Sequence, residues 1–144
     1  LGVPLYSYSG LLVSAGGAWA ADRLVCALFD ARRRDVYAAC YRFGKGEVEV
    51  VMGACALSLD EVVGRFEGDE VPVFTGEGAV LHAAELQERL GAMVVPSLLS
   101  APRAAVLLWL VNAEPELGLV ADAAAWEPDY VRASGAERIA AQKS

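Results

Sequence analysis

Residues 24–43 read LVCALFDARRRDVYAACYRF, and this stretch decides the fold. Residues 24–29 form a continuous apolar run, which is typical of a strand covered on both faces. Residues 35–43 alternate as a second strand does. Because only the polar segment 30–34 separates the two, the sequence predicts an antiparallel hairpin. The alternation assigns two faces to the second strand: Val36, Ala38 and Cys40 on one, Tyr37, Ala39 and Tyr41 on the other.

The segments on either side of the hairpin predict an α/β fold with a mixed sheet. Upstream, 3–8 resembles the end of a strand, and Ser9 can cap a charge-free helix over 10–21. Downstream, 47–56 predicts a third strand with a bulge near Gly53. The remaining predicted elements are a capping-box helix from Ser58 to Phe66, a strand at 71–75, a helix at 79–90, a strand at 92–95 and a helix at 102–113.

Composition restricts the class of protein. Apolar residues make up 56% of the 144, above the usual ~45–50% of globular chains. No run approaches the ~18 uncharged apolar residues of a membrane span, and the first residues do not resemble a signal peptide. We therefore expect a cytoplasmic protein without a membrane segment. The net charge of −7 argues against autonomous nucleic-acid binding and suits a basic protein partner.

The cysteines and the single histidine predict no metal or cofactor chemistry. Cys26, Cys40 and Cys55 lack the spacing of a zinc site or a disulfide framework, so we expect reduced thiols. Cys26 and Cys40 can become neighbours across the hairpin, in a register that the sequence does not settle. His82 alone cannot complete a multi-histidine metal site, and we expect it at a helix start or on the surface. We expect no cofactor and no catalytic group.

Two predicted helices have no polar face. Residues 104–111 contain no polar side chain, and 10–21 contains no charge. A helix that is apolar all round must be covered all round, whereas a sheet covers one side only. The second cover can be chain beyond this sequence, a partner, or the other helix. We expect both helices to lie at an interface between chains or to stay partly bare, and Leu108 and Trp109 are the interface candidates.

These stretches resemble the TsaB (YeaZ) family. Residues 25–32 followed by 36–41 are similar to the family's central hairpin, in which Asp-Ala-Arg precedes a short turn and Val-Tyr. One departure lies in the turn, where Arg34-Asp35 stands in place of the usual Gly-Glu. Because glycine often serves a positive φ, this turn can have a different shape. Further matches keep their order over about residues 1–133: Gly2-Val3-Pro4, 9–19, 75–79 and 127–132.

The resemblance implies an RNase H-like lobe of the actin-like ATPase (ASKHA) superfamily. It also implies that the chain is the C-terminal part of such a protein and lacks most of the first lobe. On this basis we expect four segments. They are 1–22 as the end of the first lobe, 23–100 as the second lobe, 101–133 as a helix and tail packing back on the lobes, and 134–144 as a polar, frayed tail.

The same resemblance implies a non-catalytic scaffold subunit for threonylcarbamoyl transfer to adenosine in tRNA (t6A biosynthesis). The scaffold would hold a TsaD-like catalytic subunit and a TsaE-like ATPase, and the chain alone would form a homodimer. Two other classes stay open. A fragment of an ASKHA-type kinase or ATPase would need phosphate loops in the other lobe. A glycoprotease-like metallopeptidase would need a histidine-rich metal motif, which one histidine cannot supply.

Two short segments are candidates for binding. The turn with Gly76 and Gly78 could present backbone amides to a phosphate, although Glu77 would repel an anion and no Lys-Ser/Thr follows. A plain tight turn is the interpretation that we favour. Arg32, Arg33 and Arg34 are partner-interface candidates that could meet a carboxylate-rich protein, RNA phosphates or only solvent.

Overall fold

A computed structural model describes residues 2–19, 23–44 and 46–128. Its centre is a four-stranded sheet in which the first two strands pair antiparallel, as the hairpin predicts, with Cys26 opposite Cys40. The fourth strand runs parallel to the first, so the sheet is mixed, as predicted. The strands, in the spatial order β3-β2-β1-β4, are β1 (Leu24–Asp30), β2 (Asp35–Phe43), β3 (Val48–Ser58) and β4 (Val73–Thr75).

Helices cover both faces of the sheet. They are α1 (Gly10–Gly17), α2 (Leu59–Phe66), α3 (Glu77–Leu81), α4 (Ala83–Leu90), α5 (Ser97–Ser100), α6 (Ala104–Ala113) and α7 (Pro115–Gly118). The single helix predicted over 79–90 is wrong, because the backbone leaves helical geometry at His82, with φ −105° and ψ 17°. The amphipathic pattern continues across that break and hides it. α5 and α7 span four residues each, too few for a periodic pattern.

Strand β3 contains the predicted irregularity. Ala38 lies opposite Cys55, and Cys40 lies opposite Met52, so β3 has an extra residue at the position of Gly53 and Ala54. A second shift follows on the side of Tyr41. The strand continues to Ser58, where the predicted capping box is confirmed. The Ser58 hydroxyl accepts a hydrogen bond from the Glu61 amide, and the Glu61 carboxylate accepts one from the Ser58 amide.

Two other predicted strands are reduced to isolated contacts. Within the described residues the segment 3–8 makes a single bridge, between Tyr6 and Leu119. Val94 bridges Phe74 in parallel, and the Phe74 backbone bonds to Met93 and Val95 on either side. The segment predicted at 92–95 therefore extends the sheet beyond β4 by a single bridge.

The sheet separates two apolar cores. The alternation predicted for β2 is confirmed, because its two sets of side chains belong to different cores. The first core lies between the sheet and α2 and α4, and its buried members include Val36, Cys40, Leu59, Phe74 and Leu86. The second lies between the sheet and α1 and α6, and its buried members include Leu12, Val25, Ala39, Phe43 and Leu110.

The two apolar helices have different surroundings. Residues 11–15 of α1 are all buried, because β1 and β2 cover one side of that helix and α5 and α6 contact the other. The expectation that α1 needs a cover from outside is therefore wrong. In α6 only Leu110 is buried, and Leu108 is 69% exposed. The expectation of a partly bare helix is confirmed for α6. In the predicted helix 10–21 the observed α1 ends at Gly17, Trp19 is 47% exposed, and Ala20 and Ala21 lie outside the described residues.

The three cysteines differ in accessibility. Cys26 and Cys40 are fully buried, and the Cys40 thiol donates to Cys26 Sγ at 2.6 Å. Burial, followed by the hydrogen bond with Cys40, raises the pKa of the Cys26 thiol well above its ordinary value. Cys55 is half-buried, and desolvation raises the pKa of its thiol as well. That all three remain reduced in solution stays a prediction.

We predict that iodoacetamide at mildly alkaline pH modifies Cys55 in the native protein well before Cys26 and Cys40. The thiolate is the reactive species, and burial both blocks access to the inner pair and keeps Cys26 protonated. Peptide mass spectrometry over a time course, with a urea-unfolded sample as the control, measures the order. Equal native labelling of Cys26 and Cys55, or a mapped Cys26–Cys40 disulfide, would contradict it.

Candidate functional site

The turn with Gly76 and Gly78 lies where the parallel strands β1 and β4 end. Gly76 has φ 96°, and a Cβ atom there would collide with the carbonyl of Leu28. A Cβ atom at Gly78 would lie 2.9 Å from the Phe29 carbonyl carbon and 3.0 Å from the Asp30 amide nitrogen. Glycine is therefore required at both positions, because α3 begins in close contact with the backbone of β1.

This contact explains the glycines without a ligand. α3 has five residues, and the exposed Glu77 in its first turn places a carboxylate where an anion would approach. Both features favour the interpretation of Gly76 and Gly78 as a tight packing turn. Phosphate binding at this turn stays an untested prediction.

The hairpin tip, residues 31–34, has an uncommon backbone. Arg32, Arg33 and Arg34 have φ values of 69°, 55° and 65°, all in the left-handed region. Hydrogen bonds hold the tip at both ends: the Arg32 amide donates to Asp30 Oδ1 at 2.9 Å, and the Asp35 amide donates to the Arg32 carbonyl at 2.9 Å. Arg34, which stands in place of the usual glycine, thus adopts the conformation that glycine would supply.

The three arginines of the tip have different surroundings. Arg34 donates to both carboxylate oxygens of Glu85 on α4, at 2.9 and 3.1 Å. Arg34, followed by Arg89, lowers the pKa of Glu85 through these hydrogen bonds. Arg32 and Arg33 are exposed, and within the described part of the chain neither forms a salt bridge. The structure therefore assigns Arg34 to an internal ion pair and leaves the other two guanidinium groups open to solvent.

Several apolar side chains on and near α6 are exposed or half-buried. We define the α6 surface by its exposed or half-buried members: Trp19, Leu99, Leu107, Leu108 and Trp109. Trp19 stacks on Trp109 with ring centroids 5.7 Å apart, and Trp109 packs at 6.1 Å from Phe43. α1 and α6 approach closely because Gly16 has no side chain, and a Cβ atom there would be 2.7 Å from Val106 Cγ1.

The α6 surface includes both predicted apolar interface candidates, in unequal positions. Leu108 projects into solvent, whereas Trp109 is half-buried in the aromatic stack. Trp19, which is 47% exposed, lies within the predicted helix 10–21, although it was not singled out as an interface candidate. Leu99, which is 48% exposed, lies outside both predicted helices and was missed.

Other predicted features carry less chemistry. His82 joins α3 and α4 as the C-cap of the first and the N-cap of the second, so the predicted position at a helix start is confirmed. Among the described residues, its buried Nε2 has no hydrogen-bond partner. In residues 2–19, 23–44 and 46–128 no three histidine, cysteine or acidic side chains converge as metal ligands would. None of the helices in these ranges has the length and hydropathy that a membrane crossing requires.

The C-terminal predictions lie mostly outside the described residues. Of the family-like segment 127–132, only Glu127 and Pro128 are described, and both are exposed. Tyr130 and Arg132 of that segment lie outside the described residues. The predicted tail 134–144 lies outside as well.

Comparisons with known proteins agree with the sequence resemblance. No protein-family model matches the chain. The tRNA threonylcarbamoyladenosine biosynthesis protein TsaB of Bacillus subtilis (strain 168) is 29% identical over 140 residues, which are 95% of this chain and 59% of that protein. The chain thus spans about three fifths of the relative's length.

Two solved structures are similar to this fold. YeaZ from Pseudomonas aeruginosa superimposes with a TM-score of 0.65 at 26% identity, over 88% of this chain and 60% of that one. An uncharacterized protein with similarity to peptidase YeaZ, from the same organism, gives a TM-score of 0.63 at 24% identity, over 90% of this chain and 59% of that one. The second likeness concerns the fold alone.

The mixed sheet with helices on both faces, together with these likenesses, defines an RNase H-like lobe of the actin-like ATPase class. The curated relative and the solved structure of YeaZ narrow this likeness to one family. In sequence and in fold the chain is similar to the TsaB (YeaZ) family.

We predict that Gly76→Ala destabilises the protein by about 2–4 kcal/mol, because it combines a strained positive φ with a collision against β1. Gly64→Ala is the matched control. Gly64 lies on the exposed side of α2, where a Cβ atom would meet nothing within 4 Å, so alanine should stabilise by about 0.5–1 kcal/mol. Urea unfolding followed by circular dichroism measures both. A Gly76→Ala protein as stable as the unchanged chain would show that α3 can move away from β1 at no cost.

Proposed function

We propose that the chain is part of a non-catalytic scaffold subunit for t6A biosynthesis in tRNA. Its similarity to the TsaB (YeaZ) family and the printed name of the B. subtilis relative support the pathway. The observation that carries the scaffold role is the α6 surface, an apolar area without a cover among the described residues. Because such areas rarely persist on a soluble monomer beyond a few hundred Å2, they commonly mark an interface.

We propose that more than one occupant uses the α6 surface. In a complete protein of the length of the relatives, a preceding lobe covers part of it. In the complete protein that we propose, residues 1–22 are the end of the first lobe and residues 23–100 form the second lobe. Residues 101–133 then pack back on both lobes. In the isolated chain a second copy is the substitute, since two-fold contacts are the commonest solution.

The assembly that we propose contains a TsaD-like catalytic subunit and a TsaE-like ATPase, in the cytoplasm. The chain contributes contact surface rather than chemistry. Its glycine turn packs against β1, and its one histidine has no acidic or thiol neighbours in a metal-like arrangement among the described residues. Among the classes considered, neither the ASKHA-type kinase nor the glycoprotease-like peptidase is favoured by a specific contact in this structure.

We predict that depletion of this protein in its own organism lowers the t6A content of total tRNA, as measured by nucleoside mass spectrometry. A plasmid copy of the complete gene should restore the modification. A copy with Leu108→Glu should restore less, because a carboxylate at the centre of an apolar contact must be desolvated. Unchanged t6A after verified depletion would refute the pathway assignment.

We predict that the isolated chain self-associates through the α6 surface and that Leu108→Glu weakens this association by about tenfold or more, as loss of a central contact does. Leu81→Glu is the matched control, since Leu81 is 63% exposed on α3, outside that surface. Light scattering during size-exclusion chromatography measures the mass over a range of concentrations. A monomeric unchanged chain at every concentration would contradict the prediction.

A further inference from the structure

We propose that the hairpin tip is a second docking site, at which Arg32 and Arg33 bind a pair of carboxylates on the surface of a partner protein. This inference rests on the geometry and charge of the tip and does not require the function proposed above. It concerns a region separate from the α6 surface, as the connections of the tip show.

The backbone of the tip is the first observation. Three consecutive non-glycine residues, Arg32 to Arg34, have positive φ. A left-handed conformation costs an L-residue about 1–2 kcal/mol, and only glycine, asparagine and aspartate adopt it readily. Such strain persists only where the surroundings impose it, and it concentrates at sites that bind or switch. Arginine is a costly choice at three such positions if the turn has only to connect two strands.

The surroundings that impose this shape are visible in the hydrogen bonds. The Ala31 amide donates to the Asp35 carbonyl at 2.9 Å, and Asp30 holds the Arg32 amide. The Arg34 carbonyl accepts from the Leu59 amide at 2.9 Å, at the start of α2. With the Arg34–Glu85 pair, these bonds attach the tip to α2 and α4. The backbone that carries Arg32 and Arg33 is therefore ordered before a partner arrives, which lowers the entropy cost of binding.

The two remaining guanidinium groups are the second observation. Arg32 and Arg33 are exposed, and within the described residues no salt bridge engages them. The guanidinium group binds a carboxylate through two parallel hydrogen bonds, which lysine cannot reproduce. Two adjacent arginines on an ordered turn therefore suit two neighbouring carboxylates.

The charge around the tip favours a protein over a nucleic acid. Asp30 and Asp35 flank the arginines, and Glu85 and Asp60 lie on the adjoining helices. A nucleic acid is a continuous polyanion and would meet these carboxylates within a Debye length of ~8 Å. A discrete acidic pair contacts the two arginines without extending over the neighbours. We therefore assign the site to an acidic protein segment.

The location leaves the α6 surface free. The tip is attached to α2 and α4, which cover the first core, whereas α6 covers the second core on the opposite face of the sheet. A partner at the tip and an occupant of the α6 surface can therefore bind together. This arrangement would give the chain two contacts on opposite sides.

The test uses the whole chain and peptides of defined sequence. One peptide carries two adjacent glutamates between glycines and serines, and its control carries glutamines instead. The Nε–Hε signals of the arginines are followed by NMR during titration, and the signals of Arg32 and Arg33 are assigned from single variants. We expect the glutamate peptide to shift these two signals in a saturable manner. Absent shifts, or equal shifts with the glutamine peptide, would overturn the proposal.

Three double variants separate the causes. Arg32→Asn with Arg33→Asn removes both charges while keeping a residue that accepts positive φ, so the fold is retained and peptide affinity should fall about tenfold or more. Arg32→Lys with Arg33→Lys keeps the charge but removes the guanidinium groups, which bind a carboxylate through two parallel hydrogen bonds. Affinity for the glutamate peptide should therefore fall as well. Arg23→Asn with Arg65→Asn makes the same charge change elsewhere and should leave affinity unchanged. If peptide affinity fell equally in the Arg32→Asn, Arg33→Asn variant and in this control, net charge alone would explain the loss. That result would overturn the proposed site.

A short single-stranded RNA tests the other class of partner. At physiological ionic strength we expect it to bind more weakly than the glutamate peptide. If RNA bound more tightly, and lost affinity in the Arg32→Asn, Arg33→Asn variant, the assignment to a protein partner would be wrong. Depletion of t6A and peptide binding are measured independently, so failure of either proposal is distinguishable from failure of the other.

Discussion

The burial of β1 between β2 and β4 is the constraint on which the rest of the structure depends. Residues 24–28 of this strand are buried on both faces, so its polar backbone must be paired along both edges. β2 pairs along the whole of one edge, from Leu24 to Asp30. On the other edge β4 pairs over three residues, and α3 then begins against the end of β1. Only glycine at 76 and 78 allows that approach.

The same sheet explains how the apolar excess of the chain is distributed. One face is covered by α2 and α4. The solvent-facing sides of these helices are polar and carry the ion pairs of Arg89 with Asp60 and Glu85. The other face is covered by α1 and, beside it, by α6, whose Trp109 packs on Phe43. Among the described residues, α6 contacts the fold on one side only, and Leu110 is its one buried residue. The apolar circumference of α6 therefore remains partly bare, whereas that of α1 is covered.

The hairpin tip shows how local strain and distant contacts combine. Three arginines in the left-handed region cost free energy, and no pattern in the segment 31–34 suggests that shape. The shape depends on the amide of Leu59 and the carboxylate of Glu85, which lie far along the chain. Glu85 thus gives Arg34 a carboxylate partner within the fold. Of the three arginines of the tip, Arg32 and Arg33 remain available to a partner protein. Surface ion pairs contribute little to stability, so the role of the Arg34 pair is mainly to orient the tip.

The sequence by itself determined the elements whose signals are local. These are the hairpin of β1 and β2, the two faces of β2, the bulge near Gly53 and the capping box at Ser58. Each depends on side-chain alternation, glycine or a cap within a few residues. The tertiary structure alone decided that the pattern over 79–90 breaks at His82, that Arg34 pairs with Glu85, and that α1 is covered while α6 is not. The physical reason is that local patterns report which residues avoid water. Which surface covers them depends on elements brought together from distant parts of the chain.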